Sequence, residues 1–114
     1  MAKDLRMYIL VNEDVEINKG KLAGQVGHAV AVYFYQKGNT SLVDEYMNSF
    51  QKKIILYAKE ELLQELESDG FISIRDKGWT DLEPDTLTCV NLGILDFNNI
   101  PTALGMIKRM RLVK

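Results

Sequence analysis

The amino-acid sequence predicts an α/β fold, and three observations lead to that prediction. Short apolar runs rich in β-forming residues alternate with helical patterns, in the order strand, helix, strand, helix, strand, strand, helix. The helices fall between successive strands, so they are expected to cover both faces of one sheet. The connection between the third and fourth strands is short, which allows those two strands to be antiparallel.

Length and composition are those of an ordinary globular chain. Its 114 residues, 46% of them apolar and 26% charged, are expected to form a single domain, 1–114. The net charge of −2 provides no overall positive field, so any contact with RNA must come from a local patch. One cysteine and one histidine exclude an internal disulfide and a structural zinc site. The chain lacks a signal-peptide pattern and any apolar run of membrane-spanning length, so a cytoplasmic location without a membrane partner is expected.

The first half of the chain is predicted to contain one buried strand and two helices. Residues 5–11 form the strand, because a continuous apolar run suits a central strand buried on both faces. A long helix runs from about residue 19 to residue 36 and ends at Gly38. Thr40 or Ser41 caps a shorter helix, whose apolar side chains, Met47 among them, are expected to face inward.

The second half is predicted to contain three strands and two helices. Strands are expected at residues 54–58, 71–74 and 88–95, a helix at 60–68, a polar loop at 76–85 and a final helix from 98–101 onward. In the last strand, Val90, Leu92 and Ile94 alternate with polar or small residues, which predicts that these three side chains share one face. Pro101 falls in the first turn of the final helix, where its missing N–H group does no harm.

The stretch that begins at Asn18 carries the main functional signal. Asn18 is expected to cap the long helix, so that Lys19 and Lys21 add positive charge to an end that already carries partial positive charge. Free N–H groups and two ammonium groups together predict a site for an anion such as a phosphate or a carboxylate. Helical geometry places Lys21, Gln25 and His28 on one face. The other interpretation is a closely packed core helix whose lysines simply point into water.

Two segments of the chain carry recognisable motifs. Residues 19–29 read Lys-Gly-Lys-Leu-Ala-Gly-Gln-Val-Gly-His-Ala, and residues 76–88 place Asp76, Thr80, Pro84 and Thr88 at fixed spacing around a glycine. The first segment resembles the signature Lys-Gly-Lys-x-Ala-x-Gln-x-x-His-Ala of the type II, archaeal and eukaryotic, peptidyl-tRNA hydrolases. The second is similar to that family's Asp-Ala-Gly-x-Thr-Gln-x-x-Pro-Gly-(Ser/Thr)-x-Thr, and together the resemblance covers most of the chain.

This resemblance implies a fold, an activity and a set of site residues. The implied fold has three layers, α/β/α, and a mixed four-stranded sheet of order 2-1-4-3 in which strand 4 is antiparallel. The implied reaction is hydrolysis of the ester that joins a peptide, or an N-blocked amino acid, to tRNA, without a metal or an organic cofactor. Weakly bound tRNA and a homodimer are the implied partners. By position, the catalytic residues are Lys21, Gln25, Asp76 and Thr88, and the supporting or substrate-binding residues are Lys19, Gly20, His28, Gly78 and Thr80.

Three positions in the second motif depart from the family pattern, and one further position adds an acidic residue. Lys77 and Asp81 stand where the family commonly has Ala and Gln, Asp85 stands where it has Gly, and Glu83 adds another acid. Carboxylates near a polyanionic substrate are repulsive. These residues favour an alternative function, in which the chain is a catalytically inactive descendant that binds protein or RNA.

Ester hydrolysis requires an activated water molecule and a stabilised oxyanion. Asp76 is the candidate base, Lys21 the candidate cation, and Gln25 and Thr88 are suited to orient the water or the carbonyl group. The sequence offers no evident pair of nucleophile and base, so direct attack by water is expected rather than an acyl-enzyme. Lys21 and Asp76 are predicted to lie close together, and replacing Lys21 by alanine is expected to cost little stability.

Overall fold

The computed structural model describes residues 2–77 and 84–114, and it contains four strands and three α-helices in that part of the chain. The strands are β1 (Leu5–Asn12), β2 (Lys52–Ala58), β3 (Ile72–Arg75) and β4 (Leu87–Asp96), and the helices are α1 (Lys19–Lys37), α2 (Ser41–Met47) and α3 (Glu60–Ser68). Each predicted strand and these three helices are present, with ends displaced by no more than two residues. None of the described helices is both long enough and apolar enough to cross a membrane.

The sheet has the strand order β2-β1-β4-β3. Strands β1 and β2 are parallel, whereas β4 is antiparallel to both of its neighbours, β1 and β3. One core cluster lies between the sheet and the helices α1 and α2. A second cluster lies under α3 and the residues that follow β4. The prediction of an α/β fold is therefore confirmed, as are the strand order and the antiparallel fourth strand that the resemblance implied.

Strand β1 is the centre of the molecule because its side chains supply both cores. Met7 and Ile9 face α1 and α2, whereas Tyr8 and Leu10 face α3, and all four are at least 97% buried. A strand covered on both faces needs apolar residues at successive positions, which explains the uninterrupted run in the sequence.

Two expectations about helices need correction. The final helix is present, but it is a 3₁₀ helix, Thr102–Arg109, and a separate short 3₁₀ segment, Phe97–Asn99, precedes it. Proline disfavours helical geometry in the residue before it, so Ile100 is extended and separates the two segments. Pro101 accordingly precedes the second segment instead of forming its first turn. Met47, expected to face inward, has 45% of its surface exposed, because it lies in the last turn of the short helix α2.

The chain beyond Arg109 covers the outer edge of β2. The Tyr57 N–H group donates to the Arg111 carbonyl, and the Val113 N–H group donates to the Ile55 carbonyl, each at 2.9 Å. An exposed strand edge offers unpaired backbone groups to other chains, and this short extension satisfies them within the molecule.

Strand β4 contains two irregularities that change which way its side chains point. Arg75 lies opposite Leu87 and Ile74 lies opposite Cys89, so Thr88 is an extra residue in the pairing with β3. In the pairing with β1, Leu92 is the extra residue, because Tyr8 lies opposite Gly93 and Ile9 opposite Asn91. Such β-bulges redirect side chains.

The second bulge overturns the predicted alternation. Val90 and Leu92 pack in the α3 core, but Ile94 packs in the α1 core on the other face. Gly93 makes this change of face possible, because its φ of +88° lies in a region that residues with a side chain rarely adopt. A Cβ atom at Gly93 would also lie 3.0 Å from Cε1 of Tyr33, so the aromatic ring occupies the place of a side chain.

Gly93→Ala is expected to lower the free energy of unfolding by about 1–3 kcal/mol, because the backbone conformation strains any L side chain. Urea denaturation measures this change. Gly27→Ala is the control, since a Cβ at this exposed helical position has no neighbour within 4 Å. It should raise stability by about 0.5–1 kcal/mol through its helix propensity. Equal effects of the two substitutions would contradict the role assigned to Gly93.

Candidate active site

Helix α1 begins as the sequence predicts. Asn18 caps it, with its side-chain oxygen accepting from the Lys21 N–H group at 2.9 Å. The first turn contains no acidic residue, so the positive end of the helix dipole and the lysine side chains are not neutralised within the helix itself. Lys19 and Gly20 are exposed in this turn. The helix start therefore keeps the character of an anion site.

The compensating negative charge for Lys21 comes from a distant part of the chain. The Lys21 ammonium nitrogen lies 2.8 Å from Oδ1 of Asp76, and only 14% and 5% of the two side chains are exposed. The predicted proximity of Lys21 and Asp76 is thereby confirmed. A largely buried pair of this kind interacts strongly, but removal of either partner leaves a charge with poor solvation.

The neck of the connection between β3 and β4 holds Asp76 in place. Its N–H group donates to the Thr86 carbonyl at 2.8 Å, and its carbonyl accepts from the Asp85 N–H group at 2.7 Å. These two hydrogen bonds, one on either side of the Cα atom, fix the backbone from which the carboxylate projects. The base candidate is thus positioned by the sheet and does not depend only on its contact with Lys21.

Gln25 and Thr88 meet one helical turn further along α1. The hydroxyl oxygen of Thr88 lies 3.2 Å from Oε1 of Gln25 and 3.0 Å from the Ile74 carbonyl oxygen. A hydroxyl has one proton, so Thr88 can donate to only one of these two oxygens at a time. When it donates to the Ile74 carbonyl, its contact with Gln25 is a hydrogen bond only if the Gln25 amide is turned so that its NH₂ group donates to the hydroxyl oxygen. The bulge at Thr88 explains this contact, because Thr88 and Cys89 both reach α1 although they are consecutive in the strand.

The topology explains why these residues converge. Strands β1 and β3 are both antiparallel to β4, so the ends of β1 and β3 lie beside the beginning of β4. Lys21 follows β1, Asp76 follows β3, and Thr88 is the second residue of β4. Four residues predicted to be catalytic therefore lie at one end of the sheet as two contacting pairs, Lys21 with Asp76 and Gln25 with Thr88.

The remaining predicted site residues do not join these contacts in the described part of the chain. His28 is exposed, and its imidazole ring forms no hydrogen bond with residues 2–77 or 84–114. Lys19 and Gly20 are exposed at the helix start, where a ligand could reach them. Gly78 and Thr80, together with Asp81 and Glu83 of the acidic segment, lie outside the described residues.

Cys89 lies beneath α1, fully buried, with its sulfur 3.5 Å from the Gln25 carbonyl oxygen. Burial raises the pKa of its thiol to about 11, so the thiolate that a nucleophilic cysteine requires is scarce at neutral pH. Cys89 is therefore a packing residue of the core. Its raised pKa also leaves the site without a thiol nucleophile.

Sequence reasoning missed Asn91, whose buried amide connects α1 to β4. Its NH₂ group donates to the Ala29 carbonyl at 3.0 Å, and its side-chain oxygen accepts from the Gly93 N–H group at 2.7 Å. The available signal was an amide between the apolar residues Val90 and Leu92 of a buried strand, because a buried amide must find partners.

The donor atoms of the described residues do not fit a metal site. In residues 2–77 and 84–114, no group of three or more His, Cys, Asp or Glu side chains is arranged to hold a metal ion. The chemistry the geometry does offer is a buried carboxylate, an ammonium group beside it, and an amide and a hydroxyl one turn away. This set can accept a proton from water and can stabilise developing negative charge.

Comparison with known proteins identifies the family. The family described as Peptidyl-tRNA hydrolase PTH2 matches residues 5–110. The peptidyl-tRNA hydrolase of Methanopyrus kandleri is 38% identical over 96 residues, which cover 77% of this chain and 83% of the relative. Those of Haloquadratum walsbyi and Methanocaldococcus jannaschii are 36% and 32% identical, over 89% and 91% of this chain and 96% and 98% of the relatives. The chain therefore belongs to the peptidyl-tRNA hydrolase PTH2 family.

Proposed function

We propose that this protein hydrolyses the ester bond between a peptide, or an N-blocked amino acid, and tRNA by direct attack of water. The observation that carries the proposal is the buried ion pair between Lys21 and Asp76, located where Gln25 and Thr88 also meet. Family membership supports the same substrate class, since the matched relatives are named peptidyl-tRNA hydrolases.

Asp76 acts as the general base in this mechanism. Its carboxylate accepts a proton from the attacking water while the oxygen of that water bonds to the ester carbonyl carbon. The carbonyl oxygen becomes an oxyanion, and the Lys21 ammonium group beside it provides the stabilising positive charge. Collapse of the tetrahedral intermediate breaks the bond to the ribose oxygen of tRNA. That oxygen takes up the proton that Asp76 accepted from water, so the peptide is released as a free carboxylic acid and the Asp76 carboxylate is regenerated.

Gln25 and Thr88 orient the reacting groups. Because the two side chains contact each other and Thr88 also bonds to the sheet backbone, the Gln25 amide is restricted to a few directions. A restricted amide can hold a water molecule or the carbonyl oxygen in the geometry of attack, which reduces the entropy lost on reaching the transition state. Both residues thus work through placement and do not form covalent bonds to substrate.

The start of α1 binds the phosphate of the tRNA end. Lys19 and Gly20 are exposed there, the helix dipole favours an anion, and the first turn has no acidic residue. The resemblance adds Gly78, Thr80 and His28 as substrate-binding residues. The positively charged patch is confined to the start of α1, and the chain as a whole has a net charge of −2. Few phosphate contacts are therefore available, and tRNA is expected to bind weakly.

Two further proposals follow from the family. The protein acts in the cytoplasm, where peptidyl-tRNA arises during translation, and it forms a homodimer. Tyr35 and Phe50 are 93% and 89% exposed, which is surface that a second copy could cover. A monomer mass by light scattering at high protein concentration would refute the dimer.

The alternative function, a non-catalytic binding protein, has weaker support. It rests on the acidic residues Asp81, Glu83 and Asp85, of which only Asp85 belongs to the described residues. Against it, the base candidate contacts its cation, and the two orienting residues contact each other. A chain released from catalysis would have no need to retain a costly buried ion pair at this position.

Hydrolysis of labelled N-acetyl-aminoacyl-tRNA tests the proposed function. Asp76→Asn should lower kcat by about a hundredfold or more, because it removes the base and keeps the shape. Lys21→Met should lower kcat by a similar factor through loss of oxyanion stabilisation. Lys37→Met, at the opposite end of α1, is the control and should keep the wild-type rate. Release of amino acid at equal rates by wild type and Asp76→Asn would refute the mechanism, and no release by wild type would refute the function.

The stability of the same variants tests the ion pair. Lys21→Met and Asp76→Asn should each lower the free energy of unfolding by about 1–3 kcal/mol, because each leaves a buried polar partner behind. This replaces the sequence-based expectation of little cost, which did not include the 5% exposure of Asp76. The double variant should lose less than the sum, with a coupling of about 1 kcal/mol or more. Additive losses would show that the two side chains do not interact in solution.

Asp85 tests the acidic departures. Its φ is +70°, a conformation that Gly adopts freely, which explains the Gly in the family pattern. Asp85→Asn removes the charge and keeps a residue that tolerates this backbone, and KM for tRNA should fall by up to about fivefold at low salt. Asp85→Ala removes the same charge but should also lose about 1 kcal/mol of stability to strain. An unchanged KM in both variants would show that the carboxylate, 81% exposed, lies away from the substrate.

A further inference from the structure

Helix α1 lies along β4 in a regular register. Gln25, Ala29 and Tyr33, spaced by four residues, contact in turn Thr88 and Cys89, then Asn91, then Gly93. One step of four residues along a helix advances about 6 Å, and two residues of a strand advance about 6.7 Å. The distance covered by four helix residues nearly equals that covered by two strand residues, so the same kind of contact recurs along the helix. This register determines where the helix start, with Lys21, lies relative to the sheet.

Asn91 makes the strongest of these contacts. The amide is 98% buried, and its NH₂ group donates to the Ala29 carbonyl at 3.0 Å. The neighbouring Cys89 contact, between sulfur and the Gln25 carbonyl at 3.5 Å, involves a weak donor. Apolar contacts have no preferred direction, whereas a buried amide must keep its partner at hydrogen-bond distance or lose about 1–3 kcal/mol.

The same amide is fixed from the strand side. Its side-chain oxygen accepts from the Gly93 N–H group at 2.7 Å, next to the bulge that includes Leu92. Because one oxygen is held by the strand, the NH₂ group has a defined direction toward α1. Asn91 is therefore a rigid connection between the bulged strand and the middle of the helix.

We propose that Asn91 is a positioning residue for catalysis, which sets the register of α1 on β4 and thereby places Lys21 against Asp76 and Gln25 against Thr88. Lys21 and Gln25 reside on the helix, whereas Asp76 and Thr88 belong to the sheet. Both contacting pairs of the site therefore depend on how the helix is seated. The proposal rests on the proposed function for its consequence in catalysis, but the seating itself is independent of activity.

Asn91→Leu is the test substitution, with Asn91→Ala as a second variant in case leucine does not fit. Leucine has a similar size and removes the donor to Ala29. Val90→Ala is the matched control, because Val90 is an equally buried neighbour that packs in the α3 core on the other face. It destabilises the sheet without removing a contact to α1.

Labelling of Cys89 by dithionitrobenzoate measures the seating. Cys89 is the single cysteine, is fully buried under α1 and has a thiol that reacts only when the helix lifts or the protein unfolds. Global unfolding sets a labelling rate that can be calculated from the unfolding free energy in urea. The Asn91 variants should label at least about tenfold faster than this global rate, because the helix opens locally. Val90→Ala should label at its own global rate.

The coupling between Lys21 and Asp76 measures the site geometry. A double-mutant cycle for these two residues should give about half the wild-type coupling, or less, in the Asn91→Leu background. In the Val90→Ala background the coupling should be unchanged. With N-acetyl-aminoacyl-tRNA as substrate, Asn91→Leu should lower kcat by about tenfold or more, with KM within about twofold of wild type, because misplacement of catalytic groups reduces turnover more than binding.

The outcomes separate the two proposals. Wild-type coupling in the Asn91→Leu background, or labelling at the global rate in both Asn91 variants, would overturn the positioning role. An unchanged kcat in Asn91→Leu would overturn it as well. If wild type hydrolyses no substrate while the labelling and coupling results hold, the proposed function fails and Asn91 sets the seating of α1 but not a catalytic rate.

Discussion

The ion pair between Lys21 and Asp76 joins residues 55 positions apart in the chain, and the arrangement of the sheet makes it possible. Strand β4 lies between β1 and β3 and runs opposite to both. Because β4 runs in this direction, the start of α1, which follows β1, lies close to Asp76, which follows β3. A parallel β4 would place Thr88 at the far end of the sheet, and Gln25 would have no partner. The direction of β4 therefore determines which residues can meet at the site, and the individual side chains determine how they interact there.

Local patterns in the sequence predicted much of this structure because the responsible forces are local. The buried strand β1, the cap at Asn18 and the positive start of α1 follow from apolar periodicity, a side-chain hydrogen bond and the helix dipole. The catalytic set, in contrast, came from resemblance to a family, since nothing in the spacing of Lys21 and Asp76 shows that they meet. What the residues contributed was the need for an anion near Lys21, and the structure supplies Asp76 in that place.

The parts that sequence reasoning missed depend on long-range pairing. Alternation in β4 predicted one face for Leu92 and Ile94, but a bulge opposite β1 separates them. The partner of a bulge lies on another strand, so hydrophobic periodicity within β4 carries no record of it. Asn91 was missed for the same reason, because its two hydrogen-bond partners lie on α1 and at Gly93 beyond the bulge. Gly93 and the amide of Asn91 can be seen in the sequence, but their joint role becomes evident only when the pairing register of β4 with β1 is known.

The buried ion pair and the tethered helix together explain why the site is built on rigid elements. Burial strengthens the interaction of Lys21 with Asp76, but it also removes water that would compensate for poor geometry. A small error in the distance between the Lys21 ammonium and the Asp76 carboxylate therefore raises the free energy of the folded state. Apolar contacts have no preferred direction and do not by themselves prevent such an error. The hydrogen bonds to the Ala29 and Gln25 carbonyls restrict the helix where it lies along β4. In this protein a polar connection in the core lies behind a charged site of little exposure, and Asn91, between the apolar residues Val90 and Leu92, is that connection.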